Sequence, residues 1–68
     1  MMFTIELDQE EDDRWIAEVR ELPGVLAYGV TQDVAVARAE ALALRVLAHR
    51  LENGEPVPSM TNVFSIAA

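Results

Sequence analysis

The chain has 68 residues, no cysteine and a formal net charge of −7, because twelve acidic residues face only five arginines. The lack of cysteine excludes disulfides and thiolate metal sites, and the single histidine, His49, excludes a zinc cluster built from imidazoles. The acidity argues against direct binding of nucleic acid or anionic membranes. With neither a signal-peptide pattern nor a long apolar run, the sequence predicts a cytoplasmic protein of one domain, residues 1–68.

The first nineteen residues predict a β-hairpin. Phe3, Ile5 and Leu7 alternate with polar residues, which is the pattern of a half-buried antiparallel strand. The acidic run 8–13 is expected to end this strand, and a second alternating segment, 14–19, follows it. The residues of the second segment that share its apolar face are Trp15, Ala17 and Val19.

A third short strand should complete a meander. Pro23 and Gly24 predict a turn, because proline presets its own φ and glycine accepts a positive φ beside it. The strand then runs from residue 25 to Tyr28 and ends at Gly29. We expect Tyr28 to lie in the core rather than to act as an exposed contact residue, because the chain has only four aromatic residues with which to fill its interior.

One long helix is predicted after the meander. Thr31 is a good N-cap, Asp33 suits the first turn, and residues 32–52 contain neither proline nor glycine. Asn53-Gly54 then ends the helix, and residues 61–66 are predicted to form a last strand. The fold class is therefore α+β: a three-stranded antiparallel meander, one long helix packed on the sheet, and a short final strand.

The helix carries two apolar stripes, although packing on a sheet requires only one. The inner stripe consists of Ala35, Ala39, Leu42 and Val46, flanked by Ala43 and Leu47. The second stripe has heptad-like spacing, and its small residues would let another helix come close. Alanine is a strong helix former, which explains the alanines of this stripe without any contact but does not explain its leucines. We therefore predict a homo-oligomer, a dimer or larger, with an interface formed by Ala37, Ala41, Leu44, Ala48 and Leu51.

The acidic residues do not predict catalysis. Glu6 and Asp8 face the same side of the first strand, but only Glu18 and Glu40 are placed to extend a carboxylate cluster, so a two-metal site is incomplete. We expect no enzyme activity, no cofactor and no metal. A basic protein is the natural partner of such a surface, although a solvated strand and turn would have the same composition. The candidate partner-binding residues are Glu6, Asp8, Glu10, Glu11, Asp12, Asp13 and Glu18.

An ordered set of short motifs resembles the HicB family of antitoxins. These motifs are Trp15-Ile16-Ala17, Leu22-Pro23-Gly24-Val25, Ala27-Tyr28-Gly29 and Thr31, followed by an alanine-rich helix.

The resemblance implies a partial RNase-H-like β-β-β-α-β fold. It also implies a role in a type II toxin–antitoxin system, in which the chain neutralises a small, basic, RNA-cleaving toxin of the HicA kind. HicB antitoxins usually carry a C-terminal DNA-binding domain, whereas residues 56–68 show no pattern of a DNA reader, so we expect no direct contact with nucleic acid. The alternative is a self-associating HicB-like domain of unestablished function with no toxin partner.

Overall fold

A computed structural model describes residues 3–57 and 64–67. Over these ranges the chain forms β1 (Phe3–Gln9), β2 (Trp15–Val19), β3 (Leu26–Gly29), α1 (Gln32–Glu52) and β4 (Phe64–Ala67). The four strands make one sheet in the order β3-β2-β1-β4. The pairs β1–β2 and β2–β3 are antiparallel, and β4 adds to the free edge of β1 in parallel. The predicted α+β fold is confirmed.

Strand β1 extends beyond its predicted end. Asp8 and Gln9 continue the antiparallel ladder opposite Ile16 and Trp15. Asp8 thus lies in the strand, as the alternation predicted, and the acidic run interrupts the strand only after Gln9. Cross-strand pairing outweighs the low strand propensity of these polar residues because β2 continues alongside them.

Residues 10–14 connect β1 and β2, and a hydrogen bond between Glu10 and Arg14 closes a three-residue hairpin loop over residues 11–13. The backbone nitrogen of Glu10 donates to the carbonyl of Arg14 at 2.7 Å, and the nitrogen of Asp13 donates to the carbonyl of Glu10 at 3.0 Å. Asp13 has a φ of 67°, in the left-handed region. A tight turn followed by a residue in that region is the usual geometry of such loops, and aspartate tolerates it better than most residues.

The predicted turn after β2 is confirmed. The backbone nitrogen of Val25 donates to the carbonyl of Leu22 at 3.0 Å, and Gly24 between them has a φ of +87°. Leu22 and Val25 both bury their side chains in the core. Strand β3 therefore begins at Leu26, one residue later than predicted, because Val25 closes the turn.

The predicted bounds of α1 are confirmed at both ends. The Thr31 side-chain oxygen accepts a hydrogen bond from the Val34 backbone nitrogen at 3.2 Å, which satisfies one of the free N–H groups of the first turn. At the other end, the Asn53 side-chain nitrogen donates to the carbonyl of His49 at 2.7 Å. The helix packs mainly on β3 and β2. Its buried row is Ala35, Ala39, Ala43 and Leu47.

This buried row differs slightly from the predicted inner stripe. Ala43 and Leu47, expected on its flank, lie at its centre, whereas Leu42 and Val46 are half-buried beside it. The buried residues are spaced four apart because that row follows the direction in which the helix crosses the sheet. A helical wheel drawn from the sequence does not give this direction.

Alanine and glycine let the helix come close to β3. Gly29 is buried, and a methyl group built on it would lie 2.9 Å from the Cα of Ala35 and from the carbonyl carbon of Val34. No side chain fits between β3 and the first turn of α1 at this point. The sheet supplies most of the large core side chains, namely Phe3, Ile5 and Val19, and the helix adds Leu47 further along.

The last strand was predicted at residues 61–66. The structure places β4 at Phe64–Ala67, and residues 61–63 lie outside the described ranges. The parallel register sets Thr4 beside Ser65 and Ile5 beside Ile66.

Candidate functional site

The sheet presents one whole face away from the helix. The alternation that buries Ile5 and Ala17 under α1 sends their neighbours in β1 and β2 to the opposite side. Glu6, Asp8 and Glu18 are exposed on this side. The sequence predicted these three carboxylates as part of a partner-binding surface, and the structure brings them together on one face.

Two of these carboxylates are direct cross-strand partners. Glu6 lies opposite Glu18 in the β1–β2 ladder, an arrangement of like charges that is unfavourable. Arg20 offsets it, because its Nε donates to the Glu6 carboxylate in an exposed ion pair. This contact raises the pKa of the Arg20 guanidinium. Glu18 makes no ion pair with any of the described residues.

Beside the carboxylates lies an apolar row that the sequence did not single out. Ile16 lies opposite Tyr28, and Leu26 lies opposite Glu18. Ile16 and Leu26 are half-buried. We define the acidic face as Glu6, Asp8 and Glu18 together with Ile16, Leu26 and Tyr28. Only the strand register reveals that these residues are neighbours, because the apolar residues lie on β2 and β3 and the acidic residues lie on β1 and β2.

The placement of Tyr28 in the core was wrong. The residue is 39% exposed on the acidic face, because the buried side of β3 is taken by Ala27 and Gly29, which leave room for the helix. The Arg14 guanidinium carbon lies 4.8 Å from the centre of the Tyr28 ring. This is a cation–π contact of the kind that arginine makes with aromatic faces.

The other predicted acidic residues lie in the β1–β2 loop, at one end of the acidic face. Glu11, Asp12 and Asp13 are exposed there, and Glu10 is half-buried. Asp12 accepts from the Arg14 Nε at 2.7 Å. The backbone N–H of Arg14 also donates to Asp12, and together with the guanidinium it outweighs desolvation and lowers the pKa of this carboxyl.

Glu21 has a structural role that sequence reasoning missed. Its Oε1 accepts from the Thr4 backbone nitrogen at 2.7 Å, next to the bond from the Arg20 nitrogen to the Thr4 carbonyl. Partial burial raises the pKa of Glu21, but hydrogen bonds to the carboxylate, first that from Thr4, outweigh burial and lower its pKa overall. The carboxylate thus closes the end of the β1–β2 ladder, a contact for which the sequence offers no signal.

The outward side of α1 carries the second apolar stripe. We call Ala37, Ala41, Leu44, Ala48 and Leu51 the outer stripe. Leu44 is 47% exposed and Leu51 is 56% exposed. Ala37 and Ala48 are also exposed, and Ala41 is half-buried. An interface on this stripe stays a prediction.

Other kinds of site find no support among residues 3–57 and 64–67. In this part of the chain no three His, Cys, Asp or Glu side chains are grouped to hold a metal ion. The surface formed by these described residues contains no pocket. The helix is not apolar enough over its length to cross a membrane, as judged on the same residues.

No protein-family model, no curated protein and no solved structure matches this chain. The resemblance to HicB antitoxins therefore depends on the sequence motifs alone.

Proposed function

We propose that this chain is a cytoplasmic protein-binding module, similar to an antitoxin, that uses its acidic face to cover the basic surface of a small RNA-cleaving toxin. The observation that carries the proposal is the composition of that face. The Asp8 and Glu18 carboxylates, neither of them in an ion pair with a described residue, flank half-buried Ile16 and Leu26. A surface of this kind offers charge complementarity and apolar contact area to the same partner.

The chain's own arginines illustrate the chemistry of recognition. The acidic face and its margins already hold two guanidinium groups, Arg20 on Glu6 and Arg14 on the Tyr28 ring. Arginine side chains of a partner would bind Asp8 and Glu18 in the same way, because carboxylates accept the paired N–H groups of a guanidinium. Partner recognition would thus extend contacts that the sheet makes internally.

Neutralisation would follow from competition for the same basic groups. An RNA-cleaving protein binds phosphates through lysine and arginine. A carboxylate surface that occupies those side chains excludes the phosphate backbone. The net charge of −7 would also accelerate encounter with a basic partner at low ionic strength.

The test is affinity capture from a lysate of the source organism at low and high salt, followed by mass spectrometry. We expect a small protein rich in lysine and arginine at low salt, and less of it as salt screens the interface. The captured protein, expressed alone, should cleave RNA, and addition of this chain should stop the cleavage.

A matched pair of charge reversals then locates the interface. Glu18→Arg places a positive charge at the centre of the acidic face, whereas Glu55→Arg makes the same change in net charge at an exposed position beyond the helix. Glu18→Arg should abolish capture, and Glu55→Arg should preserve it. Equal losses with both variants would mean that net charge, and not the acidic face, governs binding.

Self-association without a toxin partner is the second candidate function, favoured by the exposed leucines of the outer stripe. Capture experiments that repeatedly return this chain alone, as an oligomer, would favour that candidate over the antitoxin-like role.

A further inference from the structure

The net charge of the molecule is confined to the part outside the helix. Within α1, three arginines balance Asp33, Glu40 and Glu52, so the whole of the −7 charge belongs to the strands and loops. Two copies brought together through their acidic faces would repel each other. The helix is the one element in which charges of both signs balance, so a second copy that approaches its outer side meets less repulsion than at the acidic face.

The outer stripe has the spacing of a helix–helix seam. Its residues follow one another at intervals of four, three, four and three, as the two apolar positions of a heptad do. Leu44 lies at its centre and Leu51 at its C-terminal end, both about half exposed. The remaining three residues are alanines, which allow close approach of two helix axes.

The orientation follows from which flank of the stripe is exposed. One flank is exposed and carries Arg38, Arg45 and Glu52. The other flank turns toward the sheet, where Leu47 is in the core and Glu40 is half-buried. When two helices run antiparallel, the exposed flanks face each other in reversed order. Arg38, near the start of one helix, then lies beside Glu52, near the end of the other.

We propose that two copies of this chain form a twofold-symmetric dimer through the outer stripe, with antiparallel helices, Leu44 at the centre, and Arg38 of each copy paired with Glu52 of the second copy. The contact is self-complementary, as a twofold dimer requires. Arg38 already donates one hydrogen bond to the Tyr28 carbonyl at 3.0 Å. A guanidinium has five donors, so the others remain available to a carboxylate.

The dimer has a consequence for the proposed function without depending on it. The helices lie between the two sheets, and the acidic faces point outward on opposite sides. Such a dimer would present two equivalent binding surfaces. Loss of toxin binding would leave the dimer intact, and loss of the dimer would leave each acidic face intact.

The first test is sedimentation of the purified chain over a micromolar-to-millimolar concentration series. Leu44→Glu should raise the dissociation constant by about a hundredfold or more, because each dimer loses two buried leucines and gains two buried charges. Val30→Glu is the matched control, since Val30 is 78% exposed outside the stripe, and it should leave association unchanged. A wild-type chain that stays monomeric throughout the series would overturn the proposal.

Charge exchange tests the orientation. Arg38→Glu should weaken association about tenfold by setting two carboxylates together, and the double variant Arg38→Glu/Glu52→Arg should restore it. Because the double variant still lacks the bond to the Tyr28 carbonyl, recovery would report only the contact between copies. Failure of the double variant to recover would refute the pairing.

A substitution of Arg45 distinguishes an antiparallel from a parallel arrangement of the two helices. In the antiparallel dimer Arg45 meets Arg45 of the second copy near the twofold axis, so Arg45→Gln should tighten association. In a parallel dimer the same residue would face Glu40 of the second copy, and Arg45→Gln would weaken association. Weakening would therefore exclude the antiparallel arrangement. Circular dichroism of each variant shows whether it is folded, and Arg45→Gln, at an exposed helix position, keeps the test decisive if Leu44→Glu unfolds.

Discussion

Replacing Gly29 with alanine should destabilise the domain more than the same substitution at any other glycine of the chain. The new Cβ would lie 2.9 Å from the Ala35 Cα and the Val34 carbonyl carbon, and closer still to the Ala35 nitrogen. These are backbone atoms, so rotation of a side chain cannot relieve the clash. The first turn of α1 would have to move outward by several tenths of an ångström.

The expected cost follows from two losses. Overpacking of a tightly packed site typically costs about 1–3 kcal/mol. Displacement of the first turn also weakens the bond from the Val34 nitrogen to the Thr31 side chain, a cap worth about 1 kcal/mol. We expect Gly29→Ala to lower the free energy of unfolding by about 2–4 kcal/mol. A chain of 68 residues has roughly 3–10 kcal/mol in total.

The measurement is urea unfolding followed by far-UV circular dichroism, with Gly24→Ala as the matched control. Gly24 has a φ of +87° and nothing within 4 Å of a Cβ built on it. Its substitution should cost only about 1 kcal/mol of backbone strain. Thermal melts should show the same order, with a fall in Tm of roughly 10–20 °C for Gly29→Ala. If Gly29→Ala is no more damaging than Gly24→Ala, the close approach of β3 and α1 does not limit stability.

Three further predictions concern the loop, the helix cap and a carboxylate. Asp13→Gly should raise the free energy of unfolding by up to about 1 kcal/mol, because Asp13 has a φ of 67°; Asp13→Ala removes the same charge but keeps the Cβ, and a gain with alanine as well would assign the effect to charge. Thr31→Ala should cost about 1 kcal/mol in the same urea assay, whereas Thr31→Asn, which keeps a capping oxygen, should cost little; equal losses would contradict the cap. Because its pKa is lowered, the Glu21 carboxylate stabilises the fold above about pH 4.5, and this contribution is lost as pH falls through the lowered pKa. Glu21→Gln keeps an acceptor for the Thr4 nitrogen but cannot titrate, so its free energy of unfolding should fall less steeply than that of the wild type in acid, and parallel pH curves would disprove the linkage.

The helix bounds were predictable because their causes are local. Thr31 caps the first turn, and Asn53 and Gly54 follow the last one. Each end depends on hydrogen bonds within a few residues, and such signals can be read directly from a sequence. The turn at Pro23-Gly24 was predictable for the same reason.

Pairing between distant segments was not predictable to the same degree. Strand β1 continues to Gln9, one residue beyond the predicted alternation, because β2 continues beside it. Tyr28 lies outside the core because α1 sits so close to Gly29. Both outcomes depend on how elements meet, which no short window of sequence contains.

The candidate site was only partly predictable, because part of it depends on the register between strands. Period-two alternation places Glu6 and Asp8 on one face of β1 without any knowledge of the partner strand. The Glu6–Glu18 pairing and the Arg20 ion pair require the register of β1 against β2. The apolar row of Ile16, Leu26 and Tyr28 requires the register of β2 against β3 as well.

The parallel pairing of β1 with β4 also determines the order in which the domain can fold. The pairs β1–β2 and β2–β3 join segments that are neighbours along the chain, and α1 follows directly. Strand β4 pairs Phe64 with Phe3, so closing that loop costs the most chain entropy of any contact in the sheet. The meander and the helix should therefore form the folding nucleus, and β4 should dock last. Substitutions in β4 would then accelerate unfolding while leaving the folding rate nearly unchanged.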